Sequence, residues 1–254
     1  MSYTIDLNLD AGEMPERLED GSEARLYDLV TSVNIACGGH AGDEATMRAA
    51  VRLAKERNLA IGAHPSYPDR ENFGRVKVPM GFEELKKSLL DQIKTLKGIC
   101  DEEKAQLVYV KPHGALYNVA AFDEEAARAV IDATTEISSQ LAIMGLSGSP
   151  FANWCAQSAI RFISEAFIDR RYESDGRLRD RSQPDALISD SLEMGRQALS
   201  LIKSGKVQAV SGETIEVRAE TLCIHGDSPH AFANLLALRK ALSGAGVRIR
   251  RFDL

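Results

Sequence analysis

The 254-residue chain carries 31 Lys+Arg against 37 Asp+Glu, a formal charge of −6, with 44% hydrophobic and 27% charged residues. This composition excludes a disordered, collagen-like or coiled-coil chain, and the acidic balance argues against non-specific nucleic-acid binding, which depends on Lys and Arg neutralising phosphates. At this length a chain buries most of its surface without disulfide or metal staples, and residues 1–254 read as one domain, undivided by any linker, repeat or low-complexity tract.

The four cysteines (Cys37, Cys100, Cys155, Cys223) are far apart and form no CxxC pair, which reads as free thiols in a reducing compartment. The first residues lack a basic segment followed by an apolar one, so no signal peptide is expected. No window approaches the ~20 apolar residues of a membrane span. The expected location is cytoplasmic, with no membrane partner.

In chain order, Ile5-Asp6-Leu7-Asn8-Leu9 alternates with period two and reads as a strand, followed by the loop Asp10-Ala11-Gly12-Glu13. Residues 32–36 form a second run that ends in Cys37-Gly38-Gly39-His40, and Asp43 caps a helix over 44–57. Further apolar runs at 59–63, 107–110, 141–145, 162–167 and 221–224 end near His64-Pro65, Lys111-Pro112-His113-Gly114, Ser147-Gly148-Ser149, Asp169-Arg170 and His225-Gly226-Asp227. Helical patterns fill 82–103, 123–139, 149–159, 190–204 and 229–243, while the arginine-rich 170–185 reads as an inserted loop. Strands alternating with helices imply parallel pairing through right-handed crossovers. About seven such units fit a β/α barrel better than an open doubly wound sheet, which gives a similar linear pattern.

Four of the five histidines, His40, His64, His113 and His225, fall one to four residues beyond an apolar run. In a parallel barrel those strand ends share one face, so residues distant in sequence converge there. Asp10, Glu13, Asp43, Asp69 and Asp227 bring carboxylates, and the histidines bring bases or metal ligands. Lys111, Arg70 and Arg75 bring positive charge for an oxyanion, and Asn8, Asn34 and Asn72 can orient a polar ligand. The mixture suits hydrolysis or phosphoryl transfer on a small polar molecule. Taken singly, Asp43 reads as a helix cap and Cys37 as a packing residue. The arginines from Arg170 to Arg181 are either a solvated loop or an anion clamp. No P-loop, GxGxxG, GxSxG or HExxH is present, so ATP, if used, is held by another kind of site or by a partner.

Longer strings carry more. Asn8-Leu9-Asp10-Ala11-Gly12-Glu13, Asn34-Ile35-Ala36-Cys37-Gly38-Gly39-His40-Ala41-Gly42-Asp43, Gly62-Ala63-His64-Pro65-Ser66-Tyr67-Pro68-Asp69-Arg70, Lys111-Pro112-His113-Gly114-Ala115-Leu116-Tyr117, Glu165-Ala166-Phe167-Ile168-Asp169-Arg170-Arg171-Tyr172 and Cys223-Ile224-His225-Gly226-Asp227 resemble the LamB/YcsF family. Gly39 and Arg171 depart from it, standing where members often carry an aromatic and a glycine. The resemblance implies a distorted, glycoside hydrolase/deacetylase-like β/α barrel of about seven strands. It also implies ATP-dependent opening of the lactam of 5-oxo-L-proline to L-glutamate, with ATP as co-substrate and 5-oxoprolinase subunits B and C as partners. On that reading Asp10, His40 and His64 form a base or the centre for a divalent metal, and Lys111 steadies phosphate or the substrate carboxylate. His113, His225 and Asp227 complete proton transfer, with Glu13 in the same catalytic set. Asn8, Asn34, Asp69, Arg70, Arg75, Tyr117 and Arg170 are the expected substrate contacts. Two other readings stay open: a metal-dependent amide deacetylase, and a non-catalytic substrate-delivery subunit. Assembly into a homo-oligomer is open as well.

Overall fold

Polar and apolar residues alternate along the first strand because its two faces meet different surroundings. Leu7 and Leu9 pack outward into the main apolar cluster, whereas Asp6, Asn8 and Asp10 hydrogen-bond to residues of other strands inside a barrel. The computed structural model describes residues 3–224, 226 and 230–253, so His225 and Asp227 lie outside the described residues.

β1 (Tyr3–Ala11) leads into two short helices, α1 (Pro15–Glu19) and α2 (Ser22–Tyr27). There follow β2 (Ser32–Ala36), α3 (Glu44–Glu56), β3 (Ala60–His64), α4 (Phe82–Glu102) and β4 (Leu107–Val110). Next come α5 (Gly114–Ala120), α6 (Glu124–Ile137), β5 (Ala142–Leu146), α7 (Phe151–Gln157) and β6 (Phe162–Phe167). Beyond a long loop lie α8 (Ser191–Ser204), the hairpin β7 (Lys206–Gln208) and β8 (Thr214–Glu216), β9 (Thr221–Ile224), α9 (Ala231–Gly244) and β10 (Val247–Ile249). The expected strand runs and long helices form where the periodicity placed them. The elements that periodicity does not reveal (α1, α2, α5, β7, β8 and β10) are only three to seven residues long, too short to display a period.

β1 to β6 pair in parallel in chain order, and β9 inserts between β6 and β1 to close a barrel of seven parallel strands. That closure decides against the open sheet. β10 pairs parallel to β1 outside the ring. The helices are started by their own sequence: Asp43 caps α3 in a reciprocal box with Thr46, while Asp123 and Asp190 cap α6 and α8. Leu85, Leu89, Ile93 and Leu96 form one buried stripe of α4, and burying each such side chain contributes about 2 kcal/mol. At the end where the strands begin, Phe252 packs edge-on to Tyr109 at 5.5 Å and clusters with Ala60, Ala142, Met144 and Ile163. The C-terminal segment thus closes one mouth, leaving the chemistry to the other. No described helix is long and apolar enough to cross a membrane.

Candidate active site

The barrel interior holds polar residues in successive levels. At the lowest, Asp6 accepts hydrogen bonds from the Thr31 and Ser32 hydroxyls at 2.6 Å each, and from Thr221. One level up, Asn8 donates to Thr221 Oγ1 at 2.8 Å, Asn34 donates to Asn8 Oδ1 at 2.8 Å, and the Tyr109 hydroxyl meets Asn34 Oδ1 at 2.6 Å. Asn34 also donates to Asp10 Oδ1 at 2.8 Å, which carries the network to the C-terminal mouth. Buried groups of this kind are stable because each finds a partner.

Lys111 follows β4 directly. Its Nζ lies 3.0 Å from Asp10 Oδ1 and 2.8 Å from Glu165 Oε1, with Asn8 Oδ1 at 3.2 Å and Cys223 Sγ at 3.3 Å. Burial alone would discharge this ammonium, but Asp10, Cys223 and Glu165 outweigh it and hold Lys111 above the ordinary lysine range. The ammonium therefore anchors Asp10 from below. Glu165 is a site residue that the sequence reading did not single out. Its signal was there, since a carboxylate within the apolar run of β6 demands a cationic partner.

Three imidazoles meet the two loop carboxylates. His64 Nδ1 donates to the Lys111 carbonyl at 2.7 Å, which turns Nε2 toward Asp10 Oδ1 at 3.3 Å and His113 Nδ1 at 3.0 Å. His113 Nε2 donates to the Phe73 carbonyl at 2.9 Å and leaves Nδ1 3.4 Å from Glu13 Oε1. With one nitrogen of each ring set against a main-chain carbonyl, His64 and His113 turn their other nitrogens toward one another and toward two carboxylates. Ligand atoms of Asp10, Glu13, His64 and His113 all lie within 4.8 Å of one another, a group that could hold a metal ion. Two nitrogens and two carboxylate oxygens, with the imidazoles oriented by main-chain carbonyls, match the donor set and outer shell of a divalent transition metal.

His40 stands beside this group. Its Nε2 is 3.0 Å from Glu13 Oε1, and its ring stacks on His113 at 3.6 Å and 5°. Burial and the neighbouring imidazoles hold both His40 and His113 well below the usual histidine range. The group that gathers thus differs from the expected trio of Asp10, His40 and His64: Glu13 and His113 stand where His40 was placed, and His40 holds Glu13. Gly12 N–H donates to Glu23 Oε1 at 2.8 Å and steadies the turn that carries Glu13. Gly74, at φ +65°, permits the crowding, because a Cβ there would stand 2.9 Å from both His40 Cβ and His113 Cδ2.

A pocket of about 270 Å³ covers the centre, lined by Asp10, Glu13, His64, Lys111 and His113 and also by Arg75, Tyr117, Arg170 and Arg181. Of the expected substrate contacts, Arg75, Tyr117 and Arg170 are on its wall. Asn8 and Asn34 are instead in the interior beneath it. Asp69 Oδ1 accepts from the Asn72 backbone N–H and Nδ2 at 3.1 and 2.9 Å, and Arg70 donates to the carbonyls of Gly38 and Gly42. Both shape loops, and neither lines the pocket. Cys37 is buried, accepts the His64 N–H at 3.2 Å and has its thiol pushed up by burial, as suits a packing residue. Of the two departures, Gly39 leaves the space that Gln92 fills, since a Cβ there would stand 2.4 Å from Gln92 Oε1. Arg171 pairs with Glu193 at 2.8 Å, away from the centre.

Fold and site together define a parallel β/α barrel with a polar interior and a carboxylate–imidazole centre at the C-terminal ends of its strands. The chain belongs to the LamB/YcsF family, whose family model matches residues 5–253. It is 46% identical over 247 residues to the A subunit of the 5-oxoprolinase of Chloroflexus aggregans, covering 97% of this chain and 98% of that one. With the corresponding A subunit of the 5-oxoprolinase of Pyrococcus abyssi it shares 41% identity over 245 residues, 96% of each. The crystal structure of the lactam utilization protein from Thermus thermophilus superposes with a TM-score of 0.89 at 39% identity, covering 98% of this chain and 100% of that one.

Proposed function

We propose that this chain acts as the A subunit of an ATP-dependent 5-oxoprolinase, one cytoplasmic barrel domain that works with subunits B and C. The assembly opens the lactam of 5-oxo-L-proline to L-glutamate and hydrolyses ATP. The observation that carries this reading is the whole-chain likeness to relatives of that name, together with a small pocket that brings a carboxylate–imidazole centre and guanidinium groups to one place.

The chemistry of the lactam explains the need for such a site. Glutamate recloses readily because the attack is intramolecular and has a high effective molarity, so ring opening is coupled to ATP. Phosphorylation of the amide oxygen makes the ring carbon electrophilic and creates a leaving group. The chain must then place a water, accept its proton and return a proton to the ring nitrogen as the C–N bond breaks, and hydrolysis of the acyl phosphate so formed releases glutamate and phosphate. Asp10 and Glu13 are the acceptors, and His64 and His113 hand the proton on. Lys111, paired with Asp10 and Glu165, keeps Asp10 aimed into the pocket rather than binding phosphate itself. A divalent metal held by Asp10, Glu13, His64 and His113 would supply Lewis-acid polarisation of the amide oxygen and a more acidic water. The sequence has no P-loop, so ATP is held by another kind of site or by a partner subunit.

Reconstitution with subunits B and C tests the reading. Glutamate and phosphate release should rise together and vanish when this chain is omitted; undiminished release without it would end the proposal. The same centre suits a metal-dependent hydrolase of another amide, which would act without ATP, so dependence of glutamate release on ATP decides between the two.

A further inference from the structure

The cationic side chains on the pocket wall are not equivalent. Lys111 is committed to Asp10 and Glu165, and Arg179 to Glu173 and Asp185 at 2.9 and 2.7 Å. Arg170 is 4% exposed, and its Nη2 donates to the Arg179 carbonyl at 2.6 Å, yet its Nε has no hydrogen-bond partner among the described residues. A buried N–H without an acceptor is destabilising and is retained where a ligand supplies the acceptor. Burial, then the neighbouring charge of Arg181, pushes the Arg170 guanidinium down to about 10. Two guanidiniums held together against their repulsion are relieved by an anion.

The mount of Arg170 is rigid. Gln197 Nε2 donates to the carbonyls of Phe167 and Arg170 at 2.8 and 2.9 Å, and Arg170 forms a β-bridge with Leu187. In the closed ring, β6 lies across the barrel from β3. Arg170, just past β6, and His64, at the end of β3, therefore face the same pocket from opposite sides.

We infer that Arg170 receives the carboxylate of the ligand and makes the pocket selective for lactams that carry one beside the ring nitrogen. The inference rests on the proposed lactam chemistry. A carboxylate anchored there turns the ring amide toward Asp10, Glu13, His64 and His113 across the mouth. A guanidinium matches the planar oxygen pair of a carboxylate. The pocket, at about 270 Å³, lies at the small end of ligand sites and suits a small ring acid rather than a nucleotide.

Steady-state kinetics on the reconstituted assembly tests this, varying 5-oxo-L-proline, ATP and 2-pyrrolidinone, which is the same ring without the carboxylate. R170Q should raise KM for 5-oxo-L-proline about ten- to a hundredfold, the value of a charge-assisted hydrogen bond. Its kcat should change less, its KM for ATP should stay the same, and R170K should recover part of the loss. The wild-type assembly should turn over 5-oxo-L-proline and reject 2-pyrrolidinone, an arm that does not depend on any variant folding. An unchanged KM in R170Q, equal turnover of both lactams by the wild type, or a shift confined to ATP would each overturn the inference; the last would place a phosphate at Arg170. If the wild-type assembly turns over no lactam, the functional reading fails, and calorimetric titration of the full chain with the two lactams decides the inference separately. Binding of 5-oxo-L-proline that R170Q abolishes would support it, and binding of neither lactam would sink it.

Discussion

Gly62 and Tyr109 are register partners on β3 and β4, and a Cβ on Gly62 would stand 2.1 Å from the Tyr109 ring. Tyr109 has nowhere to withdraw. Its hydroxyl lies 2.6 Å from Asn34 Oδ1 and 2.9 Å from the Val33 carbonyl, and its ring rests edge-on against Phe252. Gly62→Ala is therefore expected to lower stability by about 2–3 kcal/mol, the usual result of overpacking a rigid core. The measurement is the urea midpoint at unchanged slope. A midpoint equal to that of the wild type would show that the ring can move aside.

The same contact reaches the centre, because Tyr109 holds Asn34 and Asn34 holds Asp10. Asn34→Ala removes the donor to Asp10 and Asn8 without touching the pocket wall. Removing an outer partner of this kind weakens metal affinity or activity by about 10- to 100-fold. Activity of the reconstituted assembly should fall by that much while the circular dichroism spectrum stays native. Full activity would mean that Lys111 alone orients Asp10.

Ring nitrogens of His64 and His113 converge with Asp10 and Glu13, so metal binding can be tested on the full chain without any turnover. Chelator-treated protein titrated calorimetrically with zinc or manganese should take up one equivalent. Asp10→Asn and His113→Ala should each lose most of that affinity, and His40→Ala should lose less, since His40 bonds to Glu13 and is not one of the four. Equal affinity in all three variants would place the ion elsewhere.

Much of this arrangement is legible in the linear chain. The strand runs are bounded by helix signals, and His40, His64 and His113 fall at run ends that a parallel barrel must bring together. The direction in which β1 faces is not legible: a period of two is the same whether Asp6, Asn8 and Asp10 meet water or a polar interior. The partner of His64 is not legible either. It depends on a loop bringing the Phe73 carbonyl to His113, a contact between residues 40 apart. Asp69 and Arg70 stand out by charge, yet both satisfy main-chain groups: Asp69 accepts the nearby Asn72 N–H, as short-range polar side chains in loops commonly do, while Arg70 reaches the Gly38 and Gly42 carbonyls of the loop after β2. Glu165 could be recognised as a carboxylate needing a cation, but Lys111 as that cation emerges only when β4 and β6 share one barrel.

At the far end of the interior, burial pushes the Asp6 carboxyl up to about 6 from 3.8, against the lowering effect of its hydroxyl donors Ser32, Thr221 and Thr31. A group with a raised pKa in the folded state binds its proton more tightly folded than unfolded. The stability it contributes is therefore full below the unfolded value, declines as pH rises through about 6 and is constant above that. The gap between 3.8 and about 6 corresponds to about 3 kcal/mol. Asp6→Asn replaces the ionisable group with one of the same shape, so its urea midpoint should vary less than that of the wild type between about pH 4 and pH 7. The variant should compare least favourably with the wild type at the acid end and gain on it as the pH rises. Parallel curves would mean that Asp6 is ionised throughout this range, with the three hydroxyls rather than burial setting its state.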